Sequence, residues 1–141
     1  MEVNKVLVAV SGGKSDAEAL AMAFGAARKS KAKVFVIYVI EVKRALPLDA
    51  DLPMENRRGE EVLEKAESVA EDLDYHIETE LLQAREAGSV IVDEAQERQV
   101  DLIVMGVAYK RRFGEFTLGD TASYVLKNAS CRVWVCREPI L

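Results

Sequence analysis

The chain has 141 residues, half of them hydrophobic, with 24 acids against 19 bases and a net charge of −5. This is one domain's length with enough apolar residues for a core, which excludes whole-chain disorder. Its longest apolar runs, 6–10 and 34–40, fall far short of the about 20 residues a membrane helix needs. Its longest basic run is Lys110-Arg111-Arg112, too little for the basic face of a nucleic-acid binder.

In chain order, MEVNKVLVAV passes straight into a strand and lacks signal-peptide cleavage features. Residues 3–10 read as a central parallel strand, buried on both faces and ending at Ser11-Gly12-Gly13. Residues 15–30 place Ala17, Leu20, Ala21, Phe24 and Ala27 at helical spacing, with Ser15 as N-cap. Residues 33–40 (KVFVIYVI) form a second buried strand, and 41–54, with two prolines and no period, form a loop. The repeat Val62, Ala66, Val69, Leu73 predicts a helix over 55–73. Residues 55–74 carry eight acids against three bases, an excess equal to the whole net charge, so this helix has an acidic solvent face.

Residues 76–82 alternate Ile77, Thr79 and Leu81 with His76, Glu78 and Glu80, as in a half-exposed strand at a sheet edge. A helix over 88–98 carries Val90, Ile91, Glu94 and Ala95 on one stripe, and a buried strand over 101–105 ends at Gly106. A long loop then runs through the basic cluster to a helix over 118–128, with Ala122, Val125 and Leu126 inward. Residues 131–137 (CRVWVCR) are the last strand. Strands separated by helices predict an α/β fold: an open, doubly wound, five-stranded parallel sheet with helices on both faces, one domain over 1–141. Such sheets bind ligands beyond the carboxyl ends of their strands. That directs attention to 11–15, to Ile40 and Glu41, and to 106–121.

Cys131 and Cys136 are five apart, so on one strand they point to opposite faces and cannot bridge each other. With His76 as the single histidine there is no zinc spacing, no metal site is evident, and a reducing, cytoplasmic compartment fits. His76, with no nucleophile pattern beside it, reads as a surface residue.

Ser11-Gly12-Gly13-Lys14-Ser15 looks like the end of a phosphate-binding P-loop, but the motif's first glycine would fall on Val8, inside the strand. Two readings remain: backbone N–H groups of Ser11, Gly12 and Gly13 facing an anion at a helix start, or a tight turn with its cap. In 106–121 (GVAYKRRFGEFTLGDT), Gly119, Asp120 and Thr121 open a helix whose N–H groups and Thr121 hydroxyl suit phosphate, with Lys110 and its neighbours to neutralise it. The alternative is a solvated charged loop with Asp120 as a cap.

VLVAVSGGKSDAEAL, DLIVMG and LGDTASYVLKNASCRVWVCRE together resemble the universal stress protein family over the whole length of the chain. The resemblance implies a sheet of order 3-2-1-4-5, ATP or another adenine nucleotide at the strand ends in some members, and homodimers paired through the last strand. Nucleotide-binding members carry G-x2-G-x9-G-[ST]. Here Gly106 and Gly119 match the outer glycines, Tyr109 stands at the second glycine and Asp120 at the Ser/Thr. The family's aspartate after the first strand is Ser11. A tyrosine adds bulk where backbone must approach phosphate, and an aspartate adds repulsion. The tail FGEFTLGDTASYVLKNASCRVWVCREP also resembles family domains fused to the cytoplasmic end of amino-acid permeases.

Three functions follow for test. The first is a non-enzymatic regulatory domain binding a small nucleotide at Ser11, Gly12, Gly13, Val39, Ile40, Gly106, Lys110, Gly119, Asp120 and Thr121. The second is a ligand-free dimerisation or interaction module paired through Val133, Trp134 and Val135, including the regulatory domain of a transporter. The third is slow ATP hydrolysis with Asp16, Glu115 and Asp120 as the carboxylates available to Mg²⁺.

Overall fold

The structure, a computed structural model, describes residues 2–140. Five strands form the sheet: β1 (Lys5–Ala9), β2 (Lys33–Glu41), β3 (Ile77–Ala84), β4 (Leu102–Val107) and, last in the chain, β7 (Arg132–Arg137). Their order is β3-β2-β1-β4-β7 and every pairing is parallel, which is the 3-2-1-4-5 arrangement when the sheet strands alone are counted. The chain moves outward from β1 to β3 and then returns to the other side of β1. The gap between the carboxyl ends of β1 and β4 is therefore the switch point at which such sheets bind ligands.

The alternation of each strand feeds two cores. Val6, Val8, Val34, Val36, Leu102 and Val104 face one way, under helices α1 (Asp16–Ala27) and α2 (Pro53–Asp72). Leu7, Phe35, Ile37, Ile103 and Met105 face the other way, under α3 (Ala87–Glu97) and α4 (Asp120–Asn128). Near-continuous apolar runs are what a parallel sheet covered on both faces requires. Cys136 packs into the first core and Cys131 against the second, so the two thiols lie on opposite faces and both are free.

Three helix stripes differ from the expected ones. In α1 the inward alanines are Ala19, Ala23 and the expected Ala27, while Ala17 and Ala21 are exposed. Alanine recurs so often in DAEALAMAFGAA that the sequence carries no unique period there. In α2 the buried line is Gly59, Leu63, Ala66 and Ala70, with Leu73 exposed beyond its end. In α4, Leu126 faces solvent and Ala122 and Val125 face the sheet.

Gly59 explains how α2 sits. A mid-helix glycine costs about 1 kcal/mol relative to alanine. Here a Cβ would fall 2.5 Å from the Leu81 Cδ1 and 2.9 Å from the Tyr38 ring, so the missing side chain lets α2 lie close over β2 and β3. The acids of α2 lie on its outer face, as its composition required.

The largest departure lies between β4 and α4. The expected loop folds as an antiparallel hairpin, β5 (Lys110–Arg112) with β6 (Glu115–Thr117), a second two-stranded sheet. Phe113 and Gly114 make its turn, both at positive φ (54° and 79°), as a tight two-residue hairpin turn demands. Arg137 holds the hairpin's base, its guanidinium 5.2 Å from the Tyr109 ring centre and 5.8 Å from that of Phe116. Those two rings stack at 5.6 Å.

Candidate functional site

At the switch point lies a cleft of about 520 Å³. Its floor is the ends of β1 and β4, with Ala9, Met105 and Gly106. One wall is the loop 11–15 and Arg58 of α2; the opposite wall is Lys110 and the start of α4 at Gly119, Asp120 and Thr121. Tyr38 and Val39 close the side toward β2. The expected residues Ser11, Gly12, Gly13, Val39, Gly106, Lys110, Gly119, Asp120 and Thr121 are therefore brought together from four separate segments.

Ile40, expected to offer backbone groups, stands apart from the other residues. It is buried, 4 % exposed, and does not line the cleft. Arg111 and Arg112 do not reach it either: Arg111 donates to the Gly114 carbonyl at 2.8 Å and Arg112 lies over the Phe113 ring. Nor does the bulk of Tyr109 intrude. Its ring is stacked on Phe116, and its N–H donates to Glu138 at 2.9 Å.

The loop after β1 is held by its own chain. Asp16 accepts from the Ser11 N–H at 3.2 Å and from the Gly12 N–H at 2.7 Å. Burial pushes its carboxyl above the usual value, and the two N–H groups together with Lys65 oppose that shift without cancelling it. This occupies two of the N–H groups expected to face an anion, and Asp16 itself is not among the residues lining the cleft. Glu115 is exposed on β6. Among the described residues no three His, Cys, Asp or Glu side chains converge as a metal site.

Ser15 stands at the N-cap of α1 but makes no side-chain capping bond. It is buried instead against Gly106. A Cβ on Gly106 would lie 2.6 Å from the Ser15 Oγ and 2.9 Å from its carbonyl oxygen. The first glycine of the motif is thus needed to let β4 pass α1 as well as to keep the cleft floor open.

The α4 wall is built differently. Gly119 is the N-cap residue at φ 89°, with open space where a Cβ would stand. Asp120 is the first residue of the helix rather than its cap, exposed and with no hydrogen-bond partner among the described residues. On the third side, Glu41 accepts from the Ala87 N–H at the start of α3, at 2.9 Å. Carboxylates of the chain itself therefore stand at the starts of three helices around the cleft, which is where helix dipoles favour negative charge. Two are engaged in hydrogen bonds and one is not.

Lys14 and Glu41, within the strand-end segments that the sequence singles out, also line the cleft, whereas sequence reasoning missed Arg58. Arg58 comes from a helix remote in sequence, and the one available signal was the glycine next to it.

The family model described as "Universal stress protein family" matches residues 2–137. The chain belongs to the universal stress protein family. A universal stress protein of Methanocaldococcus jannaschii is 33 % identical to it, over 96 % of this chain and 82 % of that one. In fold it is similar to a universal stress protein of Archaeoglobus fulgidus, with a TM-score of 0.80 and 23 % identity over 94 % of this chain and 97 % of that one. It is also similar to an Archaeoglobus fulgidus universal stress protein in complex with dAMP, with a TM-score of 0.76 and 24 % identity over 96 % and 98 % of the two chains. In this chain the hairpin lies between Gly106 and Gly119, and Asp120 stands where the motif has Ser or Thr.

Proposed function

We propose that this universal stress protein domain binds an adenine nucleotide in the switch-point cleft and acts as a regulatory domain rather than an enzyme. The observation that carries the reading is the cleft itself. Glycine main chain lies on its two walls and floor, and Val39 lies at the side where backbone groups suit a base. Its size suits one small ligand, and a relative of the same fold was solved with dAMP. No nucleophile paired with a base lines the cleft among the described residues, and Glu41 is committed to α3. Isothermal titration with adenosine, AMP, ADP and ATP tests the reading. Saturable heat with adenine compounds and none with guanosine monophosphate is expected. No heat with any adenine compound at millimolar concentration would refute it.

A second reading, homodimer pairing, has its own support. β7 pairs only with β4, so its outer edge is open, and Val133, Trp134 and Val135 on it are only partly buried. An open apolar edge strand is a template for pairing with a second copy. Sedimentation should show a dimer that Val135→Lys dissociates; a wild-type monomer would overturn the pairing. A cytoplasmic setting is supported by the two free thiols, and a role beside an amino-acid transporter by the resemblance of the tail alone. Among the described residues no helix is long and apolar enough to cross a membrane.

A further inference from the structure

Arg58 is the one cation that reaches the cleft from α2. Its Nη2 lies 3.3 Å from where a Cβ on Gly12 would stand, so the guanidinium rests against the turn of the β1 loop. It makes no ion pair among the described residues, although α2 is crowded with acids. Its position follows from its neighbour. Gly59 lets α2 settle onto Tyr38 and Leu81, and from that close seat Arg58, though exposed, reaches over Gly12. Lys14 lies on the same side of the cleft.

The charge of the two walls then differs. On the α2 side Arg58 and Lys14 face the cleft, while the nearby carboxylate of Asp16 is turned onto the Ser11 and Gly12 N–H groups. On the α4 side Lys110 is offset by Asp120, which has no partner among the described residues. A phosphate at the start of α4 would meet a carboxylate; a phosphate beside Gly12 would meet two cations. A guanidinium also offers a planar pair of donors matched to phosphate oxygens.

We infer that Arg58, with Lys14, holds the phosphate of the ligand against the α2 wall, so that the site takes an adenine nucleoside monophosphate in preference to a triphosphate. This rests on the nucleotide reading above and adds which phosphate class the cleft selects and which residue selects it. Two cations balance one phosphate dianion. The further phosphates of ATP gain no second cluster, and those reaching α4 meet Asp120.

The test is titration of wild type, Arg58→Gln, Asp120→Ser and the control Arg57→Gln with adenosine, AMP and ATP, with thermal melting to confirm folding. Arg57 is an exposed neighbour on the same helix that does not line the cleft. Wild type should bind AMP more tightly than ATP. Arg58→Gln should weaken AMP by about tenfold, the scale of a lost charged hydrogen bond at a partly solvated site, and leave adenosine within about twofold. Arg57→Gln should change neither. Asp120→Ser should strengthen ATP and leave adenosine unaltered. Adenosine binding together with AMP affinity indifferent to Arg58→Gln, or ATP preferred over AMP in the wild type, would overturn the assignment while leaving the nucleotide reading intact. Absence of binding by adenosine and by both nucleotides would overturn the nucleotide reading and this inference with it.

Discussion

The two walls of the cleft begin from the same device, a glycine turn leading into a helix, and end in different states. The wall from β1 to α1 is closed upon itself. Asp16 takes the Ser11 and Gly12 N–H groups, Ser15 is buried, and Gly106 is packed against Ser15 without room for a methyl group. The wall from β4 to α4 is open. Gly119 has free space around it, Asp120 has no partner among the described residues, and the hairpin before it is held by one arginine over two rings. Helix N-termini are ready anion sites only while their N–H groups are free. The comparison teaches that the same local motif has its N–H groups taken by its own chain on one side and left free on the other, and that charged side chains nearby, Arg58 and Lys14 against Asp120, rather than the motif decide which side suits a phosphate.

Substitution of the glycines should separate the walls most sharply. Gly106→Ala puts a methyl group against the Ser15 hydroxyl and the Ser15 carbonyl, a backbone atom that cannot step aside. Urea unfolding should show a loss of about 2–3 kcal/mol, typical of overpacking in a tight core. Gly119→Ala meets no atom, so only its backbone at φ 89° and ψ 162° is penalised, a loss of about 1–3 kcal/mol that local relaxation of an open turn should keep at the lower end. A loss at Gly119 as large as at Gly106 would erase the distinction drawn between the walls.

A smaller effect concerns pH. The folded carboxyl of Asp16 titrates above its unfolded value because burial disfavours its charge. Between those two values the folded state binds more protons than the unfolded one, so this group's contribution to stability falls as pH rises through that window. Wild type should therefore gain stability relative to Asp16→Asn as pH is lowered from neutral to about 4, near the ordinary carboxylate value. Urea midpoints of the two proteins measured across that range check it; a difference that is constant, or that moves the other way, contradicts the burial of Asp16 beneath the loop.

The smallest effect is expected at the hairpin. Arg137→Ala removes the cation over Tyr109 and Phe116, worth about 0.5–1 kcal/mol at an exposed site. Global stability should hardly change, but trypsin should cut at Arg111 and Arg112 faster than in the wild type. Unchanged cleavage would mean that the two stacked rings and the Tyr109 to Glu138 hydrogen bond hold the hairpin without the arginine.

How far the sequence could be read follows the same physics. β1, β2 and β4 are legible because a strand covered on both faces must be apolar throughout. β5 and β6 are not, because KRRFGEF has neither an apolar run nor alternation, and the hairpin rests on a two-residue turn and on aromatic contacts made with Arg137 from the far end of the chain. The face of α1 was illegible because alanine fits either side of it. At the site, glycines announced the loops, whereas Arg58 depended on how α2 docks. Tyr109 shows the limit in the other direction. At a motif glycine it looked obstructive, yet its ring is drawn out of the cleft by Phe116 and Arg137.

The central claim is that an adenine nucleotide sits between the two walls. Amide chemical-shift mapping in solution during addition of AMP tests it most directly. Shifts that saturate together at Gly12, Gly13, Val39, Gly106, Gly119 and Thr121, with little change at the outer face of α2 or along β7, are the predicted result. An unchanged spectrum at millimolar AMP, or shifts confined to residues outside the cleft, would contradict it.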